Sequence, residues 1–255
     1  IWKYAGSFDS TKSRFHLDYE IIYHLSKGHN INLNLDTEIH DPLSSVWYVP
    51  HNIPKKERVH VTQMPKALVE RILKIASKLK KKVVIGTTGF TKKEEKQIKI
   101  FSKKIPILKT GNMSLGINLL MYLTEIASKA LGKNFKSKVF ETHHKHKKDY
   151  PSGTALMLGK GIAKGKNKNF YKLIGKKYLN KKSFPYGNKI NFNSIRKGEI
   201  IGEHEVKFSS GKEIITLNHE AFDRALYSEG AIVAAKWLNN KKPGLYSMRN
   251  VLNFK

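Results

Sequence analysis

The sequence predicts an α/β protein whose second half changes to an α+β arrangement. Three features carry this reading. Short β-prone runs alternate with amphipathic helical stretches between residues 66 and 131. After Gly132 the strands lengthen and read as antiparallel. The first 60 residues follow neither pattern.

Taken in order, residues 66–79 place Leu68, Ile72, Ile75, Ala76 and Leu79 on one helical face. Lys82 to Ile85 reads as a short buried strand running into Gly86-Thr87-Thr88-Gly89. Thr91 and Glu94 form a capping box, T-x-x-E, that starts a helix from Lys92 to about Lys103. Pro106 to Leu108 is a second strand, ending at Thr110-Gly111-Asn112, and a longer helix follows from Ser114 to about Leu131. Such alternation reads as a parallel sheet, with ligands expected where strand C-termini meet loops. Beyond Gly132, Lys138 to Thr142 is a strand, and Ser152 caps a helix reaching about Ala163. Residues 165–193 give only a polar, turn-rich insertion. Glu199–Phe208 and Glu213–Asn218 read as antiparallel strands joined through Ser209-Ser210-Gly211, and a last helix runs from about Arg224 to Leu238.

Composition sets outer limits. The 255 residues are 40% hydrophobic, enough for a packed core and too apolar for a disordered chain. No run of eighteen apolar residues occurs, and the first residues lack the layout of a secretory signal. A soluble, cytoplasmic protein is therefore expected. With no cysteine, thiolate metal sites and cysteine nucleophiles are excluded. The net charge of +28 raises nucleic-acid binding as a competing reading, but only six of the 48 basic residues are arginine, the usual reader of phosphates and bases. Salt-sensitive retention on heparin would fit nonspecific charge, whereas sequence-selective binding would support the nucleic-acid reading.

The charge is unevenly spread. Residues 1–60 hold seven basic and seven acidic residues, so the whole excess lies beyond them. That segment also holds six of the eleven histidines. Its brief alternation at Ile31, Leu33 and Leu35 is interrupted by Asp41-Pro42 and Pro50. A change of character near residue 60 follows.

One stretch concentrates chemistry: Glu141-Thr142-His143-His144-Lys145-His146-Lys147-Lys148-Asp149-Tyr150-Pro151-Ser152-Gly153-Thr154-Ala155. It joins a strand end to a helix start, where backbone N–H groups can bind a carboxylate or phosphate. Histidines and lysines just before it supply protons and positive charge. The combination suits protonation of a carbanion-like centre in an anionic substrate. His143, His144 and His146 also suggest a metal cluster, but Lys145 and Lys147 would repel a cation, and no metal site is assigned. A solvated basic turn is the remaining alternative.

The motif Glu141-x-His143-His144-x-x-Lys147-x-Asp149-x-Pro151-Ser152-Gly153-Thr154-Ala155 resembles the signature of the dihydrodipicolinate (4-hydroxy-tetrahydrodipicolinate) reductase family. Val84–Phe90, Gly111–Asn118, Arg196-Lys197-Gly198, Gly202-Glu203-His204, His219-Glu220-Ala221 with Arg224, and Pro243–Tyr246, where the family ends its last helix, continue it in order. The resemblance covers about residues 65–255. It implies an oxidoreductase of lysine and diaminopimelate biosynthesis that reduces a cyclic dicarboxylate with NADH or NADPH. By the same resemblance, His143 matches the proton donor and Lys147 the second catalytic residue. His144, Gly153 and Thr154 match binders of the substrate carboxylates. Gly86, Thr87, Thr88, Thr110, Gly111, Asn112 and Met113 match cofactor contacts. The implied architecture is a Rossmann-like nucleotide-binding domain from residues 61–113 and 225–255, and a substrate and oligomerisation domain with a mixed sheet from 114–224. The family also implies a homotetramer; from hydropathy and charge, neither a membrane nor a specific nucleic acid is expected as partner.

The sequence departs from this pattern in residues 1–60. The family opens with a strand and a glycine-rich pyrophosphate turn, yet only Gly6 and Gly28 precede residue 60. Nor can a residue that selects NADH or NADPH be located. Three accounts stay open: a divergent replacement, a fused, truncated or misassembled segment, or an unrelated module. Without the turn, cofactor affinity is expected to fall by roughly 10² to 10⁴, and a catalytically inactive relic becomes a further alternative.

Overall fold

The computed structural model describes residues 2–3, 19–20, 47–48, 66–174 and 190–254, the side chains of 2–3, 19–20, 47–48, 66–68 and 71 excepted. The alternation at residues 31–35, the breaks at Asp41-Pro42 and Pro50, and most of the insertion at 165–193 lie outside them. Three two-residue strands, β1 (Trp2–Lys3), β2 (Tyr19–Glu20) and β3 (Trp47–Tyr48), pair in the order β2-β1-β3.

The chain divides into two compact units, residues 1–79 with 88–98, and residues 80–87 with 99–255. In the first lies helix α1 (Lys66–Lys78). Among its described side chains Leu73 is the most buried, at 2% exposure, while Leu79 beyond it is 38% exposed. Of the expected stripe, Ile72, Ile75 and Ala76 are half-buried, Leu79 falls on the exit turn beyond Lys78, and the side chain of Leu68 lies outside those described. The capping box at α2 (Lys92–Ser102) forms as expected. The Thr91 N–H and hydroxyl donate to Glu94 Oε2 at 2.6 and 2.8 Å, and the Glu94 N–H donates to Thr91 Oγ1 at 3.3 Å.

The second unit holds two sheets. β4 (Val83–Ile85), β5 (Pro106–Lys109) and β10 (Gly244–Tyr246) form a parallel sheet in the order β10-β5-β4. Helix α6 (Ala225–Leu238) lays Ala234 and Leu238 against Leu108 and Met113, with Met248 of the short α7 (Met248–Val251) closing the same cluster. Residues 244–246, read as a helix end, instead pair with β5. Asn239 already caps α6, which frees the next residues to extend beside that strand.

The other sheet is mixed, in the order β7-β6-β8-β9, from β6 (Lys136–His143), β7 (Asn191–Arg196), β8 (Gly202–Ser209) and β9 (Ile214–Ala221). β6 pairs parallel with β7 and antiparallel with β8. Helices α3 (Leu115–Leu131) and α4 (Gly153–Gly165) cover one face, where Ile117, Leu120, Leu158 and Ile162 meet Val139, Phe192, Val206 and Phe208. The hairpin between β8 and β9 closes as expected, with Ser210 N–H donating to the Glu213 carbonyl at 3.2 Å and Gly211 at φ +89°. Inside the uninformative stretch stand α5 (Phe170–Ile174), with Phe170 and Ile174 in the core, and the start of β7.

Candidate active site

The site grows from the register of β6. Its alternate residues Ser137, Val139, Glu141 and His143 are buried on the face that carries the core. Across the ladders, Val139 lies opposite Phe192 and Val206, Glu141 opposite Ser194 and His204, and His143 opposite Arg196. The apolar layer thus passes directly into a polar one at the C-terminal end of the strand.

Glu141 is the hub of that layer. Its Oε2 meets His143 Nδ1, while Oε1 accepts from Arg196 Nη2 and from the Ser152 N–H, both at 3.0 Å. Burial opposes its charge, but hydrogen bonds from His143, Arg196 and Ser194 outweigh that and hold its pKa far below the usual carboxylate range. With Nδ1 on the carboxylate, His143 presents Nε2 on its other side, toward Gly202, where a Cβ would come within 3.2 Å. His204 packs edge-on against His143 at 5.0 Å between ring centroids, and its Nε2 lies 3.4 Å from Ser152 Oγ. Burial, with the positive charge of His143, pushes the His204 pKa down to about 3, so its imidazole is neutral.

Arg196 binds the segment after β6 to this hub. Its Nε donates to the Lys147 carbonyl at 3.2 Å, Nη2 also donates to the Asp149 carbonyl, and the guanidinium stacks over Tyr150 at 4.2 Å. Lys147 Nζ pairs with Asp149 Oδ1 at 2.8 Å. Partial burial works against the Asp149 charge, but Lys147 prevails and lowers its pKa. His144 lies just beyond the strand, its ring 6.2 Å from that of His146. Slight burial and the charges of Arg224, His143, Lys147 and His146 lower its pKa.

Ser152 caps α4, its hydroxyl accepting from the Ala155 N–H at 3.1 Å. Gly153 and Thr154 are therefore the first residues of that helix. A Cβ on Gly153 would meet no atom within 4 Å, so the side of the helix start at that residue is open.

The residues that the family resemblance matches to cofactor contacts follow the C-terminal ends of β4 and β5, adjacent parallel strands. Gly86 and Thr87 fall in the second unit, Thr88 at the edge of the first. Gly86 lies against Met113, whose Cε would stand 3.3 Å from a Cβ there. Thr110 Oγ1 donates to the Asn112 carbonyl at 2.9 Å, and Asn112 Nδ2 donates to Thr154 Oγ1 at 3.1 Å. Gly111 completes this turn. The fold thus joins the loop after β5 to the start of α4, two groups of residues that sequence alone kept apart. Two polar loops at the ends of adjacent parallel strands stand where ligands of such sheets bind.

Sequence reading missed Arg196, His204 and the role of Ser152 as partner to Glu141. Arg196 had a signal, as one of six arginines among 48 basic residues. His204 had none beyond lying in a block of family resemblance. The ligand atoms of Glu141, His143 and His204 lie within 4.8 Å of one another, a spacing that can hold a metal ion. The Arg196 guanidinium on the same carboxylate opposes a cation there, so the donor set behaves as a carboxylate–imidazole pair. No helix of the described residues is long and apolar enough to cross a membrane.

Comparison with known proteins agrees with this geometry. The family model "Dihydrodipicolinate reductase, C-terminus" matches residues 116–252, and "Dihydrodipicolinate reductase, N-terminus" matches residues 52–113. The match thus begins ahead of residue 65, and residues 1–51 lie outside both models. The 4-hydroxy-tetrahydrodipicolinate reductase of Pelagibacter ubique (strain HTCC1062) is 83% identical over 184 residues, covering 72% of this chain and 71% of that protein. The enzyme of the same name from Buchnera aphidicola subsp. Baizongia pistaciae is 42% identical over 219 residues, covering 85% and 79%. A dipicolinate-bound dihydrodipicolinate reductase from Paenisporosarcina sp. TG-14 shares the fold at a TM-score of 0.59 and 22% identity, over 80% of this chain and 72% of that one. With the motif, the sheet that presents it and both family models in agreement, the chain belongs to the dihydrodipicolinate reductase family.

Proposed function

We propose that this chain reduces 4-hydroxy-tetrahydrodipicolinate to tetrahydrodipicolinate with NADH or NADPH, a step of lysine and diaminopimelate biosynthesis. Loss of the ring hydroxyl together with a neighbouring ring proton releases water and leaves a double bond, which one hydride and one proton then saturate. Bound nicotinamide supplies the hydride, which leaves proton delivery, orientation and charge to the protein. The observation that carries the reading is the Glu141–His143 pair at the end of β6, tied to the start of α4 through the Ser152 N–H.

In this reading His143 gives its Nε2 proton to the carbanion-like ring centre. Glu141 fixes the tautomer by holding Nδ1 and stabilises the imidazolium before transfer. Lys147, poised by Asp149, turns its ammonium to the negative charge of the substrate. His144 and the Gly153–Thr154 N–H groups take the carboxylates at the start of α4. Gly86, Thr87 and Thr88, with Thr110, Gly111, Asn112 and Met113, hold the nicotinamide end. Residues 61–113 and 225–255 would form the nucleotide-binding domain and 114–224 the substrate domain. A homotetramer in the cytoplasm completes the reading; the exposed side chains of Ile214, Thr216, Asn218 and Glu220 on edge strand β9 support subunit contact there.

The test is turnover of freshly generated substrate with NADH or NADPH, followed by loss of nicotinamide absorbance. His143→Ala is expected to lower turnover by about 10² to 10⁴. Turnover unchanged by that substitution would remove His143 from its role. No turnover by the wild type, with dipicolinate still bound, would mark a chain that keeps the substrate half alone.

A further inference from the structure

We propose that Asn112 is a positioning residue for the substrate, acting through Thr154, in addition to any contact with the cofactor. This rests on the reductase reading above.

The argument is one of hydrogen-bond direction. The Ser114 N–H, which can only donate, points at Asn112 Oδ1 at 2.9 Å. That fixes which end of the amide is oxygen and leaves Nδ2 facing Thr154 Oγ1 at 3.1 Å. An amide nitrogen only donates, so the Thr154 hydroxyl accepts here. A hydroxyl has a single proton, and with a donor in front of its lone pair that proton is turned elsewhere. The side of Thr154 next to Gly153 is the open start of α4, where nothing stands within 4 Å of a Cβ on Gly153.

Asn112 is itself rigid enough to impose this. Its carbonyl accepts from Thr110 Oγ1 and from Asn118 Nδ2, both at 2.9 Å, and Asn118 Nδ2 also reaches the Ser114 carbonyl at 2.7 Å. The α3 start is capped by Ser114, whose hydroxyl accepts from the Ile117 N–H at 3.2 Å. The turn after β5 thus behaves as a fixed bracket that holds one lone pair of Thr154 and aims its O–H at a carboxylate seated on α4. It also ties the substrate end of the site to the loop that carries the nicotinamide contacts, so the two ligands share one hydrogen-bonded frame.

The test is a double-mutant cycle with Asn112→Asp and Thr154→Val, read by calorimetric binding of dipicolinate and, separately, of NADH. Asn112→Asp keeps the acceptor for the Ser114 N–H but replaces the donor with an oxygen that claims the Thr154 proton. Its cost to dipicolinate affinity should be about tenfold larger with Thr154 present than in the Thr154→Val background, where only its charge remains. Thr154→Ser, which keeps the hydroxyl, should bind dipicolinate within a few-fold of wild type. Equal cost of Asn112→Asp in both backgrounds would overturn the proposal, as would a coupling of the same size between the two changes when NADH is the ligand. A wild type that binds no dipicolinate would overturn the reductase reading itself, and this proposal with it.

Discussion

Arg196 Nη2 lies 3.0 Å from Glu141 Oε1, with the two side chains only 5% and 1% exposed. The same guanidinium reaches the Lys147 and Asp149 carbonyls, so one buried cation joins the acid behind His143 to the segment that carries Lys147. Removing one member of a buried pair leaves the other charge without compensation.

Arg196→Met should therefore destabilise the protein by about 3–5 kcal/mol and weaken turnover as well. Arg196→Lys should recover little, because an ammonium has three donors for the four acceptors that the guanidinium serves and no planar face to stack on Tyr150. Adding Glu141→Gln to Arg196→Met should restore much of the stability and none of the activity. Urea unfolding of the three variants checks this; a double variant no more stable than Arg196→Met would contradict the uncompensated-charge account.

Acid should act in two stages. The folded-state pKa of His204 lies near 3, below its ordinary 6.5, so the unfolded chain takes up a proton that the folded one refuses. Stability from this source is full above about pH 6.5 and falls as pH drops toward 3, at up to about 1.4 kcal/mol per unit. His204→Gln should flatten that slope. Glu141 is depressed from 4.5, so its contribution is lost only below about that pH. Unfolding midpoints of wild type and His204→Gln between pH 7 and 4 test the first stage, and parallel curves would rule it out.

Gly230 is the point where α6 touches the loop after β5. A Cβ there would stand 1.9 Å from the Met113 carbonyl oxygen, against backbone that cannot rotate away. Gly230→Ala should cost about 1–3 kcal/mol and push the loop out of place. Its effect on NADH affinity should exceed that of Ala231→Gly, a change on the same helix. Isothermal binding of NADH to both variants decides between local displacement and general loosening.

The elements that the sequence revealed best are those whose signal is local. The Thr91–Glu94 box and the Ser152 cap need only residues three apart, and both formed as read, while Ser114, read as the first helical residue, is the N-cap of α3. β7 was illegible for the opposite reason. Asn191, Asn193 and Ser194 interrupt its apolar pattern, and it is a strand because β6 lies alongside it in parallel register. The same divide runs through the site. His143 and Lys147 sit in one contiguous motif, whereas Arg196 and His204 reach Glu141 only through strand pairing across more than fifty residues. No spacing rule within a segment could join them. Likewise Asn112 and Thr154 were each assigned a ligand, but their contact comes from α3 and α4 packing on a common face.

The burial pattern of β6 makes its register an evolutionary constraint. Val139, wedged between Phe192 and Val206, decides which way Glu141 and His143 point, since all three share one side of a strand held from both flanks. Loss of a single residue between the core and the motif would turn the imidazole to the opposite face while leaving every chemical group present in the chain. Lineages of this fold are thus free to exchange surface lysines, but an insertion or deletion within residues 139–143 would be selected against as strictly as a change of His143 itself.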